Sequence, residues 1–532
     1  MMTALDILVP LDIAAPQLEY RLLAPLIIVL AGACLGVIVE ALTKRGPRHS
    51  AQVVLTGITL VAAVASLARN WHIGSFTIGS LGSVALDGPA YFTWAALLVF
   101  GLMTVMLFAE RRVTAGHSTF TAMGSAVPGS PLEREAETAR SEHTEVYPLL
   151  LFSLFGMMLF AAANDLLTMF VALEIFSLPL YLLTGLARRR RLLSQEAALK
   201  YFLLGALSSA MFLYGTALLY GYAGSFTLRS IDAAIAANGG SDKLLLAGMA
   251  LVFIGLLFKI GAVPFHSWTP DVYTGAPTPV TGFMSICTKF AAVLAFMRVA
   301  YVGLGAVRWD WQPLVAAIAV LTMAVGAIIG LTQTDVKRML AYSSIAHAGF
   351  LLVAITGAVA AGNGLRTGQI GSTGAVLFYL SAYGLSTLGA FGLLSMIRKA
   401  GGESTALSSW AGVGRSHPMI GALMTFFLLS FAGIPLTAGF VGKLVAFTTA
   451  WRGGYAWLVA LAILFSLVTA FFYIRFVVVM FFREAQDPDV EVASASWVTW
   501  LVVIVGALGT LVFGVWPQPL LDLAQQASNF LR

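Results

Sequence analysis

Apolar runs of 18 or more residues recur along nearly the whole chain, and that feature leaves few folds open. Each run is long enough to cross a hydrocarbon core of ~30 Å. With no water in that core, every backbone N–H and C=O must be satisfied within the segment, so the runs are helices. A membrane β-barrel would instead show short alternating segments, and none occur. Charged residues make up only 11% of the 532 residues and hydrophobic ones 59%, against roughly 25% charged in a typical soluble domain. The expected fold class is therefore all-α: a polytopic membrane protein of about fourteen transmembrane helices.

The predicted spans are 22–43, 53–69, 89–109, 146–164, 166–187, 194–223, 243–265, 277–306, 313–333, 337–360, 373–398, 417–450, 455–482 and 495–516. Alternate loops differ in basic content. One side collects Lys44, Arg45, Arg48, Arg111, Arg112, the run Arg188 to Arg191, Lys337, Arg338, Arg398, Lys399, Arg415 and Arg483. The positive-inside rule puts that side in the cytoplasm, leaving both termini outside. Asp6, Asp12 and Glu19 precede the first run, where a signal peptide would carry Lys or Arg. The net charge of +6 reads as topological rather than as a nucleic-acid footprint. Segments 111–145 and 225–242 read as surface loops.

Two five-helix blocks, 146–306 and 313–482, each contain a span interrupted by proline: "GAVPFHSW" at Pro264 and "AGIPLTAGF" at Pro435. An odd helix number turns the second block upside down relative to the first. Inverted repeats with one broken helix per copy are a transporter architecture, and the breaks point to the ion path. The expected organisation is 1–145 (three helices and a polar loop), 146–306, 313–482, and 483–532 (a last helix and tail).

An ionisable side chain at mid-bilayer costs at least ~2.5–3.5 kcal/mol, so each needs a reason. Of the eight lysines, Lys44, Lys243, Lys337 and Lys399 sit at helix ends, whereas Lys200, Lys259, Lys289 and Lys443 lie within apolar spans. Surface positive charge is mostly arginine. A buried ammonium can release its proton, while a guanidinium effectively never does, so interior lysines point to proton transfer. Glu174 ("MFVALEIFSLPLYLL") is central in the fifth span, and Lys259 ("GLLFKIGAVPF") precedes the first break. A Glu174–Lys259 pair would couple proton release to the distance between them. Lys289 ("MSICTKFAAVLAF") and His347 ("AYSSIAHAGFLL") are central in the eighth and tenth spans, and Lys443 ("TAGFVGKLVAF") follows the second break. Lys200 is near a helix end and is also placed to snorkel. His266 and Asp271, at the cytoplasmic end of the broken seventh span, either shape a proton entrance or simply cap that end, and Arg298 and Arg475 read as structural.

The stretches "FKIGAVPFHSWTPDVYTGAPTPVTGFMS" (258–285) and "TDVKRMLAYSSIAHAGF" (334–350) resemble the antiporter-like subunits of respiratory complex I and their relatives in multisubunit cation/proton antiporters. "DVYTGAPTPVTGFMS" is similar to the N-type subunit in particular. The resemblance, over about 146–480, implies two inverted five-helix repeats with discontinuous seventh and twelfth helices. It also implies a Glu174–Lys259 coupling pair, onward transfer through Lys289 and His347, closure at Lys443, and a sixth-helix lysine at Lys200.

It implies further that protons move in step with NADH oxidation and quinone reduction in other subunits of a bacterial plasma-membrane complex, whose membrane subunits are this chain's partners and where the flavin and iron–sulfur clusters belong. This chain has only Cys34 and Cys287, too few for a cysteine-ligated cluster, and "GFVGKL" lacks the leading glycine and Ser/Thr of a P-loop. No cofactor or metal is expected in it. The alternatives are a cation/proton antiporter subunit without redox coupling, against which residues 271–285 speak, and a purely structural membrane subunit.

Overall fold

A computed structural model describes residues 19–71, 77–114, 116–127, 130–139, 142–239, 242–359, 370–399, 402–485 and 488–531. Asp6, Asp12 and small parts of the segments 111–145 and 225–242 lie outside the described residues.

Among the described residues, twelve helices are long and apolar enough to cross a membrane. The chain is an all-α polytopic membrane protein. The helices Val146–Ala162 and Pro418–Ala432 are shorter but equally apolar. Burial sorts the long helices into two groups. Thr278–Gly303, Val336–Gly357 and Ser372–Leu394 are enclosed along their whole apolar windows, whereas Arg45–Arg69, Ala456–Phe482 and Trp497–Val515 are buried over no more than a third of theirs. Exposed Ile58, Val61, Ile463, Leu467, Phe471 and Leu508 suit those outer faces to lipid. The enclosed helices carry Lys289 and His347, so the charged side chains sit where protein, not lipid, surrounds them.

Small residues set the close packing expected where apolar area alone gives helices no reason to associate in lipid. A Cβ at Gly326, on helix Arg308–Thr332, would lie 2.5 Å from the Ala346 nitrogen of helix Val336–Gly357.

Both broken spans end in the same way, and not at the prolines. Helix Lys243–Ile260 stops because Gly261 adopts φ 79°, and helix Pro418–Ala432 because Gly433 adopts φ 84°. Gly261 N–H donates to the Leu257 and Phe258 carbonyls and Ala262 N–H to Leu257; Gly433 N–H donates to Leu429 and Ser430, and Ile434 N–H to Leu429. This is a glycine-capped helix end. Pro264 and Pro435 follow within the connectors, where proline's missing N–H costs nothing. The chain resumes as helices Trp268–Gly275 and Ala438–Arg452. The expectation that Pro264 and Pro435 make the breaks is thus corrected to Gly261 and Gly433.

The segment 225–242, expected to be plain loop, contains helix Leu228–Ala237, which buries Leu228, Ile231 and Ile235; the i, i+3, i+7 spacing explains it. The segment 111–145 is pinned by Arg191, whose buried guanidinium donates to Thr121 and to the carbonyls of Met123, Gly124 and Ala126 and pairs with Glu133 at 3.2 Å. Among the described residues, strands are short: Thr77–Gly79 pairs with Val84–Leu86, and Ile397–Lys399 lies between Gly402–Glu403 and Val490–Val492.

Candidate functional site

Lys259 is the penultimate residue of its half-helix and is 2% exposed. Its ammonium lies 5.3 Å from the centre of the Phe176 ring, 5.5 Å from Tyr181, 5.2 Å from Tyr201 and 5.6 Å from Phe258. Four aromatic faces attract a cation without holding it in a fixed hydrogen bond. Lys259 Nζ makes no hydrogen bond among the described residues, and neither do buried Glu174 Oε1, Tyr181 OH and Tyr201 OH. The sequence reading paired Glu174 with Lys259; among the described residues the two form no direct ion pair. Polar atoms this deep are normally satisfied by a partner or by water.

Lys289 stands where a π-helical turn, Met284–Thr288, gives way to regular helix; such turns re-aim side chains and occur often at functional sites. Its ammonium donates to the carbonyl and the hydroxyl of Ser344, each at 2.5 Å, and lies 5.7 Å from the Tyr383 ring centre. Ser344 Oγ is 3.4 Å from Tyr273 OH.

His347 follows Ser344 by three residues on the same helix, and the Tyr383 ring stacks on its imidazole at 4.5 Å. Tyr383 therefore touches both Lys289 and His347. The imidazole nitrogens meet Tyr379 OH at 2.7 Å and Tyr473 OH at 3.4 Å, and Tyr473 OH reaches Ser343 Oγ at 2.5 Å. Beyond it, a small cavity lined by His347, Tyr379, Tyr383, Ser430 and Phe431 leads to the second break. There Lys443 donates at 2.8 Å to the carbonyls of Phe431 and Ala432 and to Ser466 Oγ. Those carbonyls are the unpaired end of helix Pro418–Ala432, the negative end of its dipole, where a cation is favoured.

Lys200 is not part of this buried line. Its side chain, 44% exposed, pairs with Glu196 at 2.7 Å and with Asp271 at 2.9 Å, and Asp271 also binds Arg338 at 2.7 Å. His266 is half-buried with Nδ1 unpartnered among the described residues. The charges left as structural are so placed. Arg298 donates to both oxygens of Asp87, at 2.7 and 2.8 Å, and to the Ala161 carbonyl, and Arg475 caps the Leu331 and Gln333 carbonyls.

Sequence reasoning missed the hydroxyl network of Tyr273, Ser343, Ser344, Tyr379, Tyr383 and Tyr473. The spacing of Ser343, Ser344 and His347 in "AYSSIAH" carried a signal, since residues three and four apart share a helix face. It also missed Lys337. Placed at a helix end by sequence, it is 1% exposed and donates to the Ala276 carbonyl at 2.6 Å and to Glu403 at 3.3 Å. Among the described residues no group of three or more His, Cys, Asp or Glu is placed to hold a metal.

A family model described as NADH:quinone oxidoreductase/Mrp antiporter, transmembrane, matches residues 163–469, more than half of the chain and the part that holds Glu174, Lys259, Lys289, His347 and Lys443. The chain belongs to that family. Within it, the chain is 61% identical to NADH-quinone oxidoreductase subunit N of Cutibacterium acnes over 524 residues, covering 98% of this chain and 97% of that protein. It is 51% identical to the subunit N of a Nocardioides species, over 98% and 100% of the two chains. These matches place it among the N-type antiporter-like subunits of bacterial NADH–quinone oxidoreductase. A chain of respiratory complex I from Thermus thermophilus, solved with aureothin bound, superposes with a TM-score of 0.75 at 33% identity, covering 95% of this chain and 100% of that one. A chain of the Mrp complex from a Dietzia species superposes with a TM-score of 0.76 at 19% identity over 96% and 97%. That likeness extends to the fold alone, so fold does not separate the two branches; sequence identity does.

Proposed function

We propose that this chain is a proton-translocating membrane subunit of NADH–quinone oxidoreductase, moving protons along Glu174, Lys259, Lys289, His347 and Lys443 while other subunits oxidise NADH and reduce a quinone. The observation that carries the reading is the line itself: three lysines and a histidine, all buried, each at a broken helix, a π turn or a hydroxyl network. A structural role asks only that buried charges be paired. Here Lys259 rests on aromatic faces and Lys289 on neutral oxygens, an arrangement that tolerates the neutral amine as well as the ammonium.

Proton motion follows from those contacts. When Glu174 approaches Lys259, the ammonium is favoured; when it withdraws, the aromatic box alone holds the charge and the proton leaves toward Lys289. Ser344, Tyr383 and His347 link Lys289 to the second half, and the carbonyls of Phe431 and Ala432 receive the charge at Lys443. Glycine-capped ends at Gly261 and Gly433 support two inverted five-helix halves, 146–306 and 313–482. Lys200 and Asp271 then lie on the arginine-rich, cytoplasmic side near the path's start, with both termini on the outer side of a bacterial plasma membrane. Flavin, iron–sulfur clusters and quinone belong to partner subunits, and this chain contributes no redox cofactor.

The test is Lys259→Arg in the whole complex, with proton pumping measured in inverted membrane vesicles and normalised to bound flavin. Arginine keeps the charge and the cation–π contacts but holds its proton, so pumping is lost; normal pumping would exclude proton transfer at this position. A copy tagged at its C-terminus and purified in mild detergent should bring flavin, iron and NADH–quinone activity with it. Recovery with hydrophobic partners alone would favour an antiporter subunit without redox coupling.

A further inference from the structure

Lys337 is the most deeply buried lysine of the chain, and the line described above makes no use of it. It lies in the first turn of helix Val336–Gly357, bound to the Ala276 carbonyl and to Glu403. Glu403 comes from elsewhere: the short hairpin Ile397–Lys399 with Gly402–Glu403 folds inward and sets its carboxylate against Lys337 and the Thr278 N–H, 3.1 Å away. The same carboxylate, 17% exposed, forms part of the lining of a surface cup with Arg188, Arg190, Arg398, Ala276 and Pro277. Glu403 thus faces the aqueous side and the buried lysine at once.

The inward direction is equally marked. Ser344 follows Lys337 by seven residues, which brings it to the same helix face ~10.5 Å deeper, and Ser344 is the residue that holds Lys289. The segment whose Ala276 carbonyl binds Lys337 also carries Tyr273, whose hydroxyl reaches Ser344.

We infer that Glu403 and Lys337 form a second proton entrance, by which Lys289 exchanges protons with the arginine-rich side without passing through Lys259. This rests on the proton-carrying reading of Lys289. In each cycle Glu403 takes one proton from the cup, becoming a neutral carboxyl, and passes it to the neutral amine of Lys337. The result is a carboxylate beside an ammonium. Lys337 then gives one proton inward, across water in the interval to Tyr273, and the Tyr273 and Ser344 hydroxyls, each accepting one and releasing its own, pass one on to the neutral amine of Lys289. One proton enters and one arrives, with nothing else consumed. The hand-over is self-limiting. Burial pushes the Glu403 carboxyl up, while Lys337, Arg398 and Thr278 together hold it below its ordinary value. Loss of the Lys337 charge removes the largest of those opposing effects and readies Glu403 for the next proton.

The test uses Lys337→Arg and Glu403→Gln in the assembled complex, with pumping per bound flavin measured from mildly acidic to alkaline pH and Lys259→Arg alongside. Arginine can still bind the Ala276 carbonyl and Glu403, and glutamine, with one oxygen in place of two, can still accept from Lys337, so a tether survives in both variants. An entrance does not, because neither new group relays a proton. The expected result is a loss of pumping of about tenfold or more in both, deepest in Glu403→Gln at alkaline pH, where protons are scarce. Wild-type pumping in either variant overturns the entrance. If that occurs while Lys259→Arg fails, only the entrance falls; if Lys259→Arg also pumps normally, the proton-carrying reading falls with it. Should Lys337→Arg not assemble, Glu403→Gln, which changes no buried cation, decides alone.

Discussion

Lys443 donates to the carbonyl of Ala432, the last residue of the helix that precedes it, across the left-handed turn at Gly433. A cation eleven positions later in the chain thereby sits on the open end of a helix dipole. The contact depends on Gly433 in two ways. Its φ of 84° costs a side-chain-bearing residue about 1–2 kcal/mol, and a Cβ there would lie 2.9 Å from Lys443 Cδ. Gly433→Ala should therefore displace Lys443 and reduce proton pumping severalfold per assembled complex. Gly454→Ala is the control, since Gly454 has φ 89° with open space around its Cα. It should carry the same backbone strain and pump normally. Equal losses in both would attribute the effect to strain rather than to Lys443.

Ser344→Ala isolates the hydroxyl network. Lys289 keeps the Ser344 carbonyl but loses the hydroxyl, a charge-assisted bond worth about 1.5–3 kcal/mol. If that bond stabilises the proton on its way through, the transport rate falls by about tenfold to a hundredfold. Ser344→Thr restores the hydroxyl and should recover most of the rate. Failure of threonine to rescue, with assembly intact, would show that the serine serves packing instead.

How far the sequence carries depends on which property decides each feature. Hydrophobic length decides the spans, so the helices Tyr20–Leu42 to Trp497–Val515 fall close to their expected places. The cost of burying charge decides where Lys259, Lys289, His347 and Lys443 can stand, so they could be singled out without coordinates. Gly261 was overshadowed by Pro264 because a proline looks like a break wherever it stands, whereas a glycine cap is visible only once φ is known. The Glu174–Lys259 separation depends on helix rotation, which apolarity on every side leaves undetermined. Lys337 looked exposed because a helix-end lysine usually snorkels; its burial comes from Glu403, 66 residues away, and no local pattern reports a contact of that range.

The pair Asp87–Arg298 fixes the opposite end of the molecule. Asp87 caps helix Gly88–Phe108, receives both terminal nitrogens of Arg298, and accepts from the Leu531 N–H of the C-terminal tail. Breaking such a buried pair costs about 3–5 kcal/mol because a lone charge remains. Arg298→Ala should lower the yield of assembled complex and expose the tail to carboxypeptidase. The double change Asp87→Ala with Arg298→Ala should recover part of the yield by removing both charges. A double variant no better than the single one would mean that tail docking, not the stranded charge, sets the cost.

Glu403 also makes a prediction about acid. Burial raises its carboxyl pKa, but Lys337, Arg398 and the hydrogen bond from Thr278 outweigh burial and hold it below the ordinary 4.5. A carboxyl depressed by folding contributes stability that is fully present above its unfolded value and is lost as pH falls through the folded one. The window therefore lies below pH 4.5, not near neutrality. Hydrogen exchange in the segment Gly402–Trp410 should stay slow from neutral pH down to about 5 and accelerate progressively below it. Glu403→Gln should flatten that step, because glutamine has no proton to gain. A step of the same size in the glutamine variant would assign it to another group, and Glu403 would not be what ties the hairpin to Lys337.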